Sequence, residues 1–189
     1  MNYNKIKYWN ARHDPNNNSG KSNAHNHIQT VKPFIEKKQN ILEYGPGTGR
    51  MLELYKDQSH INFFDISDNY KERLIHNCQS QGLNIQQHII QKDTTTKTPF
   101  KNNQFDIVCA FEVLLHCPEE EIEEVIRELS RIGKKVIIIT WYKNGETLSS
   151  EYCFTRNYKN LITKNNLKLI HWDEDSFSSI PQVFFIYSK

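Results

Sequence analysis

Short apolar runs rich in β-branched and aromatic residues recur along the chain, separated by polar stretches whose apolar positions return at helical spacing. The runs are Ile41-Leu42-Glu43-Tyr44, Ile61-Asn62-Phe63-Phe64, Ile85 to Ile90, Phe105 to Phe111, Val136 to Trp141, Leu167 to Trp172 and Val183 to Tyr187, and each predicts a strand. Between them the pattern predicts helices over Arg50 to Lys56, Asp68 to Gln81, Pro118 to Ile132 and Thr155 to Asn165, with one or two more before Asn40. Alternating strand and helix implies a mostly parallel sheet covered on both faces, because parallel neighbours need crossover connections. The helix after Pro118 is the best marked. Proline suits a first turn, Glu119-Glu120-Glu121 favours the positive end of the helix dipole, Ile122, Val125, Ile126 and Leu129 form one stripe, and Gly133 is expected to stop it. The last two runs are joined by a polar stretch ending in Ser178-Ser179-Ile180-Pro181, which has no room for a crossover helix, so they should pair antiparallel.

The length of 189 residues suits one domain, with residues 1–39 as a helical leader belonging to the same domain as residues 40–189. Acidic and basic residues are mixed along the chain and leave a formal charge of +2, so nothing in the balance calls for nucleic acid or an anionic membrane. Cys78, Cys109, Cys117 and Cys153 are widely spaced with no Cys-x-x-Cys pair, as expected of reduced thiols in a cytoplasmic protein. The N-terminus has no apolar signal core, and no stretch approaches the roughly 20 apolar residues that cross a bilayer. Asparagine clusters at Asn16-Asn17-Asn18 and Asn102-Asn103 mark loops, and there is no internal repeat.

The candidate chemistry begins at Gly45, Gly47 and Gly49, which follow an apolar strand at once and lead into a helix expected to begin near Thr48, whose start would offer free N–H groups. Missing side chains let the backbone turn sharply and approach a ligand, at the carboxyl end of a strand where nucleotides bind in open α/β sheets. A tight strand-to-helix turn without any ligand satisfies the same three glycines. Two carboxylates favour a ligand: Asp65 closes the second strand, where it can accept from ribose hydroxyls, and Asp93, followed by Thr94, ends the third. A dinucleotide fingerprint would place its third glycine at Arg50 and a small residue in place of Glu43, and a P-loop would end in Gly-Lys-Ser/Thr. A carboxylate beside the loop repels pyrophosphate and suits an ammonium group, so a ligand with a ribose, a base and a cationic amino acid end fits better.

Ile41 to Gly49 resembles motif I of the class I S-adenosylmethionine-dependent methyltransferases of small-molecule type, and Phe64-Asp65-Ile66-Ser67 resembles their acidic second-strand motif. Pro99 to Val108 with Phe111-Glu112-Val113-Leu114-Leu115-His116-Cys117-Pro118 is similar to the fourth-strand region, and Arg127 to Arg131 before Val136 to Thr140 to the following helix and fifth strand. Ile132-Gly133-Lys134-Lys135 departs from the family's Pro-Gly-Gly turn. The resemblance implies an α/β, Rossmann-like, seven-stranded, mostly parallel sheet of order 3-2-1-4-5-7-6, with strand 7 antiparallel and helices on both faces. It implies S-adenosyl-L-methionine as cofactor, S-adenosyl-L-homocysteine as product, and a small-molecule acceptor methylated on oxygen or nitrogen. It places Glu43, Gly45, Pro46, Gly47, Thr48 and Gly49 near the methionyl end, Asp65 on the ribose, Ile66 against adenine, Asp93 and Thr94 at the adenine edge and Phe111 beneath the cofactor.

His116, by similarity to the family's Leu-His-His-Val-type segment, is the candidate to take a proton from a hydroxyl acceptor, with capping or packing as its alternative role. In the leader, Tyr8, Trp9, Arg12 and His13 could touch cofactor or acceptor as a lid, or Tyr8 and Trp9 could simply staple a helix to the sheet. Trp141 and Tyr142 after the fifth strand and Arg156 beyond them face the carboxyl-end side in this topology, and Arg156 could hold an acceptor carboxylate or phosphate. No metal is expected: His25-x-His27 cannot share one helical face, and no Cys/His cluster accompanies it. Two other functions stay open, a nucleic-acid methyltransferase, although no Asn-Pro-Pro-Tyr-like motif follows Phe111, and a non-catalytic cofactor-binding scaffold.

Overall fold

The computed structural model describes residues 8–9, 21–58, 61–90, 96–142, 153–175 and 181–189. Numbered in chain order, its strands form one seven-stranded sheet in the order 3-2-1-4-5-7-6, the order implied by the family resemblance. The chain divides into two compact units, Met1–Thr95 and Thr96–Lys189.

The first unit holds α1 (Lys21–Val31), β1 (Ile41–Tyr44), β2 (Ile61–Asp65), α2 (Lys71–Ser80) and β3 (Ile85–Ile90). β1 pairs parallel with β2, and β2 with β3. All four residues of β1 and the first four of β2 are buried, as expected of parallel strands covered on both faces. The helix expected over Arg50 to Lys56 is instead a short 3-10 turn, Leu52–Tyr55. Its hydrogen bonds run Leu52 N to Gly49 O and Leu54 N to Met51 O. That tighter winding stacks Met51 over Leu54 and Leu52 over Tyr55, and all four side chains are buried.

The second unit holds β4 (Phe105–Phe111), a 3-10 turn (Leu114–His116), α3 (Glu119–Ile132), β5 (Gly133–Trp141), α4 (Tyr158–Lys164), β6 (Lys168–Asp175) and β7 (Gln182–Ser188). β4 and β5 are parallel, while β7 runs antiparallel to both β5 and β6, which bears out the expected terminal hairpin. In β6 the register skips Ile170 between Leu169 and His171, and this bulge leaves Ile170 half-exposed on the edge strand. α3 buries Ile122, Val125, Ile126, Leu129 and Ile132 along one stripe. Pro118 caps that helix from one residue before its start. Gly133 ends it in an extended conformation, φ −107° and ψ 148°, and is already the first residue of β5. A side chain there would meet Val108 Cγ2 at 2.7 Å, so the helix-to-strand corner requires glycine for packing. α4 starts at Tyr158, later than expected from Thr155, because Asn157 caps it by accepting from Asn160 N at 3.2 Å. Among the described residues no helix is long and apolar enough to cross a membrane.

Candidate functional site

In the first unit the carboxyl ends of β1 and β2 bring together Glu43, the glycine loop, Asp65 and Ile66. Gly45, Gly47 and Gly49 have φ of 73°, 54° and 83°, all in the left-handed region that glycine enters without steric cost. The loop is tied down at both ends: Gly45 N donates to Phe64 O at 2.8 Å, Gly49 N to Pro46 O at 3.0 Å, and Asn77 of α2 donates its side-chain N–H to Thr48 O at 2.8 Å. Pro46 is buried, and a side chain added at Gly47 would meet nothing within 4 Å.

Asp65 closes β2 with its carboxylate turned into backbone donors. Oδ1 accepts from Ile66 N at 2.7 Å and Ser67 N at 3.1 Å, and Oδ2 from Gly47 N at 3.3 Å. Burial raises its pKa, and those backbone bonds oppose the rise. Ile66 is half-buried beside it.

Glu43 lies inside β1, 2 % exposed, and its Oε2 has no hydrogen-bond partner. Burial pushes its pKa up to about 7, against the lowering influence of Tyr55 and Arg50, while Asp65 adds to the rise. An unpaired buried carboxylate oxygen is costly, and a cationic ligand group would supply the missing partner. The donor set therefore fits a ligand with an ammonium group near Glu43 and donors or a backbone-complementary edge near the loop. Asp93 and Thr94 lie outside the described residues, as do Arg12 and His13. Tyr8 and Trp9 are described: both are half-buried, and their rings meet edge to face at 5.2 Å.

In the second unit Phe111 ends β4, buried and aligned with Ile139 of β5. The next residue, Glu112, has φ 51°, a conformation that costs a non-glycine residue about 1–2 kcal/mol. Its backbone N–H is held by Ile139 O at 2.7 Å, and its carboxylate accepts a hydrogen bond from the side-chain amide of Gln182. Neither residue carries a sequence signal: glutamate is not the residue expected at a left-handed position, and Gln182 lies 70 residues away.

The turn Leu114–His116 presents His116 half-buried, with Nδ1 3.7 Å from Cys153 Sγ. A strap of residues around Cys153 to Arg156 holds that turn by its carbonyls. Phe154 N donates to Leu115 O at 2.7 Å, and the Arg156 guanidinium donates to Leu114 O at 3.1 Å, to Cys117 O and to the Glu119 carboxylate at 2.6 Å. Arg156 is 7 % exposed and lies 5.1 Å over the Phe154 ring. Trp141 is half-buried at the end of β5. Tyr142 is buried, packed edge to face on Trp172 at 5.2 Å, and burial raises its phenol pKa, with Glu174 adding to the rise. Among the described residues no group of three or more His, Cys, Asp or Glu is placed to hold a metal ion.

A family described as methyltransferase domain matches residues 41–135, half of the chain, from the start of β1 into β5. The chain belongs to the class I S-adenosylmethionine-dependent methyltransferases. The match spans the glycine loop, Asp65 and the turn after β4, and it ends before the strap and the terminal hairpin. The chain is 29% identical over 140 residues to the sterol 24-C-methyltransferase of Neurospora crassa, which covers 72% of this chain and 34% of that protein. It thus spans about a third of the length of that curated relative. Among solved structures it is similar to an S-adenosylmethionine-dependent methyltransferase of Methanosarcina mazei, with TM-score 0.68 and 16% identity, covering 85% of this chain and 96% of that one. It is also similar to the magnesium protoporphyrin IX methyltransferase of Synechocystis PCC 6803 with bound SAH, with TM-score 0.69 and 13% identity, covering 89% and 83%.

Proposed function

We propose that this methyltransferase moves a methyl group from S-adenosylmethionine to an oxygen or nitrogen of a small-molecule acceptor. The observation that carries the cofactor assignment is Glu43 Oε2, buried without a partner beside three left-handed glycines. An ammonium group there would pair the carboxylate, the open space at Gly47 would admit the ligand to the backbone, and Asp65 would take the ribose hydroxyls. Ile66, Asp93 and Thr94 are assigned to the adenine, and Phe111 to the cofactor's underside. When bound, the cofactor supplies a methyl group activated by its sulfonium, so the protein's task is chiefly to orient the acceptor and exclude water.

His116 is assigned as the group that takes a proton from a hydroxyl acceptor. The 3.7 Å contact of its Nδ1 with Cys153 Sγ, which holds one side of the ring, supports that reading. Trp141, Tyr142, Tyr8, Trp9, Arg12 and His13 are assigned to the acceptor side. Arg156 is assigned to hold the turn that carries His116, since its guanidinium donates to two carbonyls of that turn and to Glu119. The free, buried state of all four cysteines supports a reducing, cytoplasmic setting.

Titration of the wild type and of Asp65→Ala with S-adenosylmethionine and with NAD tests the cofactor assignment. Saturable binding of the sulfonium by the wild type, weakened in the variant, is expected; binding of NAD alone overturns it. Incubation of labelled cofactor with a metabolite extract, with RNA and with the protein alone then locates the label. Label in a small molecule supports the acceptor class, and label in RNA overturns it. The sterol relative's name specifies a carbon acceptor, and label on carbon in the isolated product would replace the oxygen or nitrogen assignment.

A further inference from the structure

Asn77 is a polar residue on the apolar face of α2. Leu74 and Cys78 are fully buried, and the spacing of 74, 77 and 78 puts all three side chains on one side of the helix. That side lies against the glycine loop and its strand. A side chain added at Gly49 would meet Leu74 Cδ1 at 2.8 Å, burial and the Glu43 charge push the Cys78 thiol up to about 11, and Asn77 Nδ2 donates to Thr48 O at 2.8 Å.

The backbone after the loop explains why Thr48 O is met by a side chain. In an α-helix beginning at Thr48, the start expected from the sequence, Leu52 N would donate to Thr48 O. Gly49 stands at φ 83°, which an α-helix cannot contain, and Leu52 N donates instead to Gly49 O at 3.3 Å. The Asn77 amide takes the place of the missing helical bond. Asp65 holds the loop in the opposite sense, accepting from Gly47 N at 3.3 Å. One side chain from the end of β2 and one from α2 thus grip adjacent loop residues, the first through an N–H and the second through a carbonyl.

We infer that Asn77 is a positioning residue for the cofactor loop: it acts through Thr48 O, in place of a helical turn this chain lacks, and cofactor affinity depends on it. The inference rests on the proposed seat of S-adenosylmethionine at residues 45–49. A loop already held in its bound shape loses less conformational freedom on binding. The gain is common to S-adenosylmethionine and S-adenosylhomocysteine, because it belongs to the loop and not to the transferred methyl.

Asn77→Ala and Asn77→Asp in the full chain separate this role from packing. Alanine removes the donor, is the better helix former and lets water reach the half-buried Thr48, so the unfolding midpoint should stay near wild type. Its affinity for both ligands, by calorimetric titration, should fall about fivefold and to the same extent. Aspartate keeps the shape of asparagine but aims a carboxylate oxygen at Thr48 O, and should cost more than alanine, about tenfold. Packing alone predicts the reverse order. Amide exchange at Gly47 and Gly49, followed by NMR without ligand, should quicken in both variants while β1 keeps its wild-type rates. Wild-type affinity in both variants overturns the inference, as does aspartate milder than alanine, or an affinity loss with unchanged loop exchange. Asp65→Ala, titrated alongside, tests the seat itself. Weakened binding there with wild-type binding in the Asn77 variants overturns this inference alone, whereas wild-type binding in all three overturns the seat as well.

Discussion

Asp65 Oδ2 accepts the backbone N–H of Gly47 at 3.3 Å while its Oδ1 is occupied by Ile66 and Ser67. One carboxylate thereby fixes the end of its own strand and the tip of the glycine loop. Asp65→Asn separates the two jobs. The amide oxygen can still serve Ile66 and Ser67, but an NH2 then faces the Gly47 N–H, donor against donor. Because burial already raises the Asp65 pKa, removing the charge relieves desolvation, and the unfolding midpoint should hold or rise. Affinity for S-adenosylmethionine should fall roughly 10- to 100-fold by calorimetric titration. A fall in stability with unchanged affinity would show that Asp65 is only structural.

Glu43 makes both stability and binding depend on pH, with opposite signs. Its pKa is raised from 4.5 to about 7 in the folded protein. Between those values the folded chain keeps a proton that the unfolded chain has released. The associated stability is complete below pH 4.5 and is lost as pH rises through about 7, on the order of 3 kcal/mol in all. Glu43→Gln should remove that slope from a series of denaturant midpoints. Binding of a cationic ligand needs the carboxylate form, so wild-type affinity should climb with pH and level off above about 7. Calorimetry below that pH, in two buffers of different ionisation enthalpy, should detect proton release on binding, and none in Glu43→Gln.

Gly47 and Gly49 predict different failures from the same change to alanine. At Gly49 the new methyl would lie 2.7 Å from Leu52 Cδ1 and 2.8 Å from Leu74 Cδ1, both fully buried in the core. Gly49→Ala should cost about 2–4 kcal/mol of stability, strain and overpacking together. At Gly47 the methyl would meet nothing within 4 Å, so the cost is the left-handed backbone alone, about 1–2 kcal/mol. It would nevertheless stand in the space assigned to the ligand. Gly47→Ala should therefore unfold only slightly earlier and bind cofactor far more weakly, and the two midpoints and affinities together check the contrast.

These contrasts show how far the sequence reaches. Strand positions were legible because buried parallel strands such as Ile41–Tyr44 and Ile61–Asp65 need continuous apolar runs. The terminal hairpin was legible because the link before Pro181 is too short for a crossover. The turn Leu52–Tyr55 was not, since apolar residues at positions 51, 52, 54 and 55 suit an α-helix and a 3-10 turn alike. On the site, Glu43 and Asp65 could be read from their places beside a glycine loop. Glu112 and Gln182 could not, because their pairing depends on one backbone torsion and on β5 lying beside β7. The arginine is a different case. Its charge and position suggested an acceptor anion, and only the three-dimensional path of residues 153–156 shows the carbonyls it serves.

Arg156 also yields the sharpest stability prediction. Its side chain is only 4% exposed and its guanidinium reaches Leu114 O, Cys117 O and Glu119, so truncation removes the donor to Cys117 O and leaves Leu114 O with only the Cys117 N–H at 3.1 Å. Arg156→Ala should cost about 2–4 kcal/mol, read from denaturant unfolding. Lysine should not rescue it, because a compact ammonium cannot reach partners spread across the planar guanidinium fork. The turn carries His116, whose ring is held 3.7 Å from Cys153 at the start of the same strap. Loosening the strap should therefore shift the His116 imidazole resonances in the folded fraction of Arg156→Lys. Unshifted resonances together with wild-type stability would show that the strap does not hold the turn.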